Sequence, residues 1–188
     1  NLSSRLIHLC LALFLLGGVF LSRARAQEEQ PESLCVVLAL DNSGSMEWND
    51  PDGLRFTAAR LFVALLDIGD QVGLIEFSTG SRALTDGMVT INSPADKEAL
   101  IALLTPKSPE GYTDIKAALE EAAAMLSEAE GCGTRTLVLL TDGEPEIESD
   151  YPEYEEEALA VASELDVPVM SIALTPEAVS YTHLTLPT

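Results

Sequence analysis

Histidine is nearly absent from this 188-residue chain: there are two, His8 and His183, both in terminal stretches that do not read as folded domain. None stands between Gln27 and Glu177. That absence excludes a Ser-His-Asp or Cys-His nucleophilic centre, and any zinc site that uses imidazole. Basic residues are also scarce. Ten Lys and Arg face 31 Asp and Glu, a formal net charge of -21, with a pI near 4.1. A field of that sign repels polyanions, so neither nucleic acid nor direct lipid binding is expected. The chain has only three cysteines, Cys10, Cys35 and Cys132, and its length is enough for one ordinary domain with a sizeable core rather than a stapled miniature scaffold. Apolar residues make up 47%, which argues against disorder.

The N-terminus has its own pattern. Arg5 precedes the apolar run Leu6 to Leu21, and Ala24-Arg25-Ala26 places small residues where a signal peptidase cuts before Gln27. Residues 1–26 read as a secretory signal, the run being shorter than the roughly 20 apolar residues of a membrane span. Without Arg5, Arg23 and Arg25, seven basic residues remain against 31 acidic ones. Residues 27–32 read as a polar linker. At the other end, residues 178–188 are uncharged and Thr-rich, and resemble a translated sequencing adapter, so they are set apart as a non-native tail. Removing the signal takes Cys10 with it and leaves Cys35 and Cys132 as an even pair in an oxidising compartment.

The region between alternates two patterns. Leu34 to Leu40 is a continuous Val- and Leu-rich run, the habit of a strand buried on both faces. The turn Asp41-Asn42-Ser43-Gly44-Ser45 follows. From Asp52 to Ile68, Phe56, Ala59, Phe62, Val63 and Leu66 recur at helical spacing. A second strand is expected over Gln71 to Phe77, and an edge strand over Met88 to Ile91 reached through a Gly/Ser/Thr-rich return. Helices are expected over Ala95 to Leu104, Ile115 to Glu130 and Tyr154 to Leu165. Strands are expected over Thr136 to Leu140 and Val169 to Leu174. This alternation predicts a three-layer, doubly wound, mostly parallel α/β sheet. Ligands in such folds bind outside the carboxyl ends of the strands, and the polar residues gather there: Asp41, Ser43 and Ser45 after the first strand, Asp142 after the fourth, and Thr113 in the loop Gly111-Tyr112-Thr113-Asp114.

These three elements, Asp-x-Ser-x-Ser at Asp41, Ser43 and Ser45, the threonine loop at Thr113, and Thr-Asp-Gly at Asp142, resemble the von Willebrand factor A family and its metal-ion-dependent adhesion site. The resemblance covers residues 33–177. It implies that Ser43 and Ser45 bind a metal through their hydroxyls, that Thr113 binds directly or through water, and that Asp41 and Asp142 act in either way. It also implies strand order 3-2-1-4-5-6 with strand 3 antiparallel. The domain is expected to be incomplete at its C-terminus, since such domains continue with a helix, a sixth strand and a closing helix.

The chemistry is coherent on physical grounds. Mg²⁺ is a hard cation that takes six oxygens and keeps waters where protein ligands are few. Neutral hydroxyls supply oxygen without charge and two aspartates only balance the ion formally, so an Asp or Glu carboxylate of a partner protein can replace a water. Ca²⁺ and Mn²⁺ are the alternative ions. Against this stands a plainer reading, in which Asp41 and Ser43 form an Asx turn and cap a helix while Thr113 caps the next. An EF-hand over Asp41 to Asp52 is excluded because Met46 stands where that loop needs Gly.

The family strand order makes the first and fourth strands neighbours. Cys35 and Cys132 then either form a disulfide at the end of the sheet away from the metal or remain a buried free Cys35 beside an exposed Cys132. Eight acids between Glu144 and Glu157 read either as a steering field at the site rim or as a solvated helix start. The expected function is an exported, secreted or cell-surface, non-enzymatic adhesion module. The alternatives are a surface-assembly or substrate-recruitment subunit with a structural metal and, less favoured, a metal-dependent hydrolase, which lacks a His base, a P-loop and a second carboxylate cluster.

Overall fold

The computed structural model describes residues 33–143, 146–147, 153–165 and 167–173. The expected signal, linker and adapter tail lie outside them, as do Glu144, Glu148 and Asp150 of the acidic run. Strands are β1 (Leu34–Asp41), β2 (Gln71–Phe77), β3 (Ser81–Ala83), β4 (Val89–Thr90), β5 (Thr134–Thr141) and β6 (Val169–Ala173). Helices are α1 (Met46–Asn49), α2 (Leu54–Leu65), α3 (Pro94–Leu103), α4 (Ile115–Glu128) and α5 (Tyr154–Glu164). The sheet runs β3-β2-β1-β5-β6, with β4 also paired to β2. The β1–β2, β1–β5 and β5–β6 pairs are parallel, and β3 and β4 run antiparallel to β2. This is the expected doubly wound α/β sheet, with β1 at its centre.

The central strand builds both core layers. Successive side chains of a strand point to opposite faces, so Val36, Leu38 and Leu40 enter one cluster with Phe56, Ala59 and Val63 of α2 and Leu100 of α3. Val37 and Ala39 enter the other, with Ala118, Leu119, Ala122, Met125 and Leu126 of α4. Burial on both faces is why β1 is apolar at every position, and it leaves the first polar residue, Asp41, at the strand's carboxyl end.

Several boundaries differ from the sequence expectation for identifiable reasons. The first long helix begins at Leu54 rather than Asp52, because Gly53 is left-handed at φ 64 and the Asp50 carboxylate accepts from Leu54 N (2.6 Å) and Arg55 N (3.1 Å). It ends at Leu65 rather than near Gly69, since Leu66 is extended and Asp70 holds the following turn through Asp67 N at 2.7 Å. The single-turn α1 had no apolar period to reveal it. The edge strand expected over Met88 to Ile91 is the short β4, Val89–Thr90, and the return before it holds an unexpected strand, β3; between them Thr85 turns its hydroxyl to accept from Leu74 N at 3.0 Å, which interrupts the ladder. The helix α3 has the capping box Ser93/Asp96 with Pro94 in its first turn.

Cys35 and Cys132 form a disulfide, with Cα atoms 5.7 Å apart, which resolves that alternative. It links the start of β1 to the turn before β5, at the end of the sheet remote from Asp41.

Candidate functional site

Asp41 ends β1 with no solvent exposure. Its Oδ1 accepts from Ser43 N at 2.8 Å, the Asx turn of the plainer reading. Its Oδ2 accepts from the Thr141 hydroxyl of the adjacent strand β5 at 2.6 Å. Burial pushes the Asp41 carboxyl above its ordinary value, the bonds from Ser43 and Thr141 offset part of that, and the negative charge of Asp142 raises it further. The hydroxyls of Ser43 and Ser45 lie 3.1 Å apart. The plainer reading has Asp41 and Ser43 cap the next helix, but the N-cap of α1 is Ser45, and its side chain makes no capping bond.

Asp142 follows β5, where Asn49 of α1 donates to its Oδ2 at 2.9 Å. Its Oδ1 is buried without a hydrogen-bond partner. Among the described residues neither Asp41 nor Asp142 takes part in an ion pair. Two carboxylates that share a loop cluster, one fully buried and the other with an orphaned oxygen, leave negative charge uncompensated.

Thr113 is 1% exposed and exchanges backbone bonds with Glu146, at 2.5 and 3.2 Å, which ties it to the chain beyond Asp142. It does not cap α4. That role belongs to Asp114, whose carboxylate accepts from Ala117 N at 3.0 Å and from the Tyr154 hydroxyl at 2.8 Å. The Thr113 loop meets the serine loop through Gly44 N to Gly111 O at 2.9 Å. Gly111 is required there: its φ is +81, and a Cβ would stand 2.4 Å from the Thr79 hydroxyl, which itself accepts from Tyr112 N at 3.1 Å. Asp41, Ser43, Ser45 and Asp142 are thus joined directly or through Thr141 and Asn49, and the Thr113 loop is linked by backbone bonds to the serine loop through Gly111 and to Glu146 through Thr113.

The donor set is entirely oxygen, two carboxylates and three hydroxyls, which suits a hard divalent cation. Among the described residues no group of three or more His, Cys, Asp or Glu is placed to hold a metal. An ion at this position therefore relies on the hydroxyls.

Sequence reasoning missed three supporting residues, Asn42, Asn49 and Thr141, and the buried pair Asp50–Arg55. Both members of that pair are 1% exposed by side chain, at 2.8 Å. Arg55 was detectable as a charge one position before Phe56 on the buried face of α2, whereas nothing in the sequence marks Asn42 or Asn49. Of the acidic run, Glu157 pairs with Lys116 at 2.5 Å, and Glu155, Glu156 and Glu157 occupy the first turn of α5, where acids favour the helix.

Glu76 on β2 anchors the same end of the sheet through Arg82 (2.5 Å) and Lys107 (2.7 Å). Burial raises its pKa, but the bonds from Lys107 and Arg82 outweigh that and hold the carboxyl below its ordinary value. A carboxyl depressed in the folded state stabilises fully above its unfolded value and ceases to do so as pH falls through its folded value. The stability difference between wild type and Glu76→Gln in urea is therefore expected to be constant near neutrality and to shrink below about pH 4.5.

Residues 36–144 match the von Willebrand factor type A domain family. Calcium-activated chloride channel regulator 1 of Homo sapiens is 31% identical over 110 residues, which cover 58% of this chain and 12% of that protein. The chain therefore spans only about an eighth of that relative. Among solved structures, the pilus adhesin SpaC from Lactobacillus rhamnosus GG, in an open conformation, has TM-score 0.51 and 27% identity, covering 62% of this chain and 15% of that one. A von Willebrand factor type A protein from Catenulispora acidiphila has TM-score 0.59 and 20% identity, covering 74% and 32%, a likeness of fold. With the doubly wound sheet and the family match over most of its described residues, this chain belongs to the von Willebrand factor type A domain family.

Proposed function

We propose that Asp41, Ser43, Ser45, Thr113 and Asp142 hold one divalent cation, Mg²⁺ or alternatively Ca²⁺ or Mn²⁺, and that the site captures an Asp or Glu side chain of a partner protein. The observation that supports this reading is the buried, unpartnered Asp142 Oδ1 beside the fully buried Asp41, with no cationic side chain paired to either among the described residues. When bound, the ion supplies a Lewis-acidic position at which an external carboxylate replaces a water. The chain's own part is to fix the geometry. Thr141 and the Ser43 N–H orient Asp41, Asn49 orients Asp142, and the two serine hydroxyls add oxygen without adding charge. The role is binding rather than catalysis, at a secreted or cell-surface location. The N-terminal signal pattern and the disulfide support the location, since disulfides persist in oxidising compartments. The likeness to a pilus adhesin supports the adhesive role.

The test is Mn²⁺ relaxation enhancement of solvent water with the chain, followed by titration of a glutamate-containing peptide. One saturable site is expected, with enhancement falling as the peptide displaces water, and both signals lost in chelator. An ion that binds and raises the melting temperature without any peptide response supports a structural metal instead. Absence of saturable binding overturns the reading.

A further inference from the structure

The segment 104–113 contains no helix or strand, yet it carries Thr113. Several bonds attach it to the rim of the fold: Arg60 Nε donates to Leu104 O at 2.9 Å, and Lys107 pairs with Glu76 at 2.7 Å. Those contacts do not set its distance from the residues that follow β1. Among the described residues three bonds do, and two of them use Asn42, one through its backbone carbonyl and one through its side chain. Glu110 N donates to Asn42 O at 2.9 Å, Gly44 N to Gly111 O at 2.9 Å, and Asn42 Nδ2 to Ser108 O at 3.2 Å.

The Asn42 side chain is 8% exposed as a residue and is held from behind. Its Oδ1 accepts from Arg55 Nη2 at 2.9 Å. Arg55 is itself fixed by Asp50 at 2.8 Å, and Asp50 by the first amides of α2. A guanidinium only donates, so Oδ1 must face Arg55 and Nδ2 must face Ser108. The amide therefore bridges α2 and the threonine loop in one orientation. An Asp at this position keeps the Arg55 contact but sets a carboxylate against the Ser108 carbonyl.

We infer that Asn42 is a positioning residue that holds the Thr113 loop in register with Asp41, Ser43 and Ser45; this rests on the reading of those side chains as cation ligands. The test is a double-mutant cycle on the full chain, using Mn²⁺ affinity by calorimetry, together with amide hydrogen exchange measured without cation. Asn42→Ala and Asn42→Asp are each expected to weaken Mn²⁺ binding by about 10-fold, as loss of outer-sphere support does, and to speed exchange across 105–113. In a Thr113→Ala background the same changes are expected to alter affinity by less than about two-fold, because the residue acts through Thr113. An equal loss in both backgrounds, which a general structural role produces, overturns the inference, as does unchanged affinity in Asn42→Ala. A wild-type chain that binds no Mn²⁺ overturns the cation reading instead. Exchange across 105–113 then decides the loop clamp by itself, and unchanged exchange overturns it.

Discussion

Replacing Asp41 with Asn is expected to leave the metal-free chain as stable as wild type or more so, and to abolish its stabilisation by divalent cations. On the proposed function the carboxylate serves the ion and not the fold, so the two effects have opposite sign. Asp41 is fully buried, and burial together with the charge of Asp142 raises its pKa despite bonds from Ser43 and Thr141. A carboxyl raised in the folded state destabilises that state at neutral pH, and the deficit disappears as pH falls through its folded value towards 3.8. Asn keeps an oxygen for the Ser43 amide and turns its NH₂ towards Thr141, whose hydroxyl can accept it. Wild type should gain about 2.7 kcal/mol at an ion concentration 100 times its dissociation constant. Thermal melts of both proteins with and without Mg²⁺ read this directly. A variant that melts well below wild type without metal gives Asp41 a structural role, and a variant that keeps the Mg²⁺ shift removes it from the ligand set.

Removing the disulfide is expected to produce the other large effect, on stability alone. Cys35 and Cys132 are separated by 97 positions, and closing a loop of that order removes unfolded-state entropy worth about 4.7 kcal/mol in the chain-entropy model. Loss of native bridges typically costs about 2–5 kcal/mol. The Cys35→Ser/Cys132→Ser variant should therefore lose about 3–5 kcal/mol in urea unfolding. Cation affinity should stay unchanged, since Cys35 and Asp41 lie at opposite ends of a strand whose six intervening steps span roughly 20 Å. A loss below about 1 kcal/mol, far under the usual cost of a native bridge, contradicts this. Altered cation affinity would show that the two ends of the sheet are coupled.

The bounds of β2, Gln71–Phe77, are those expected: Val72, Leu74, Ile75 and Phe77 are buried apolar residues lying between the turn at Gly69-Asp70 and the Ser/Thr/Gly stretch from Ser78. The helical faces of α2 and α4 followed from three- and four-residue spacing, and Phe56, Ala59, Val63, Ala118 and Ala122 are buried as expected. The parallel strand order came from family resemblance rather than from spacing, and the described strands follow it. α1 and the split between β3 and β4 were not legible: one turn of helix has no period to detect, and Thr85 replaces a ladder contact through a side-chain hydroxyl. The candidate site was legible where motifs mark it, at Asp41, Ser43, Ser45, Thr113 and Asp142. Its supports were not, because Asn42 and Asn49 act through contacts 66 and 93 residues away that no local pattern encodes. The same holds for the helix cap, where Thr113 and Asp114 are adjacent and only the geometry assigns the cap to Asp114.

The most direct measurement is anomalous diffraction from crystals of this chain grown with Mn²⁺. One peak is expected between the loops after β1 and β5, in contact with the Ser43 and Ser45 hydroxyls, with Thr113, Asp41 and Asp142 bound to it directly or through one water. A map without a peak there, while Mn²⁺ is bound elsewhere on the chain, contradicts the proposed site.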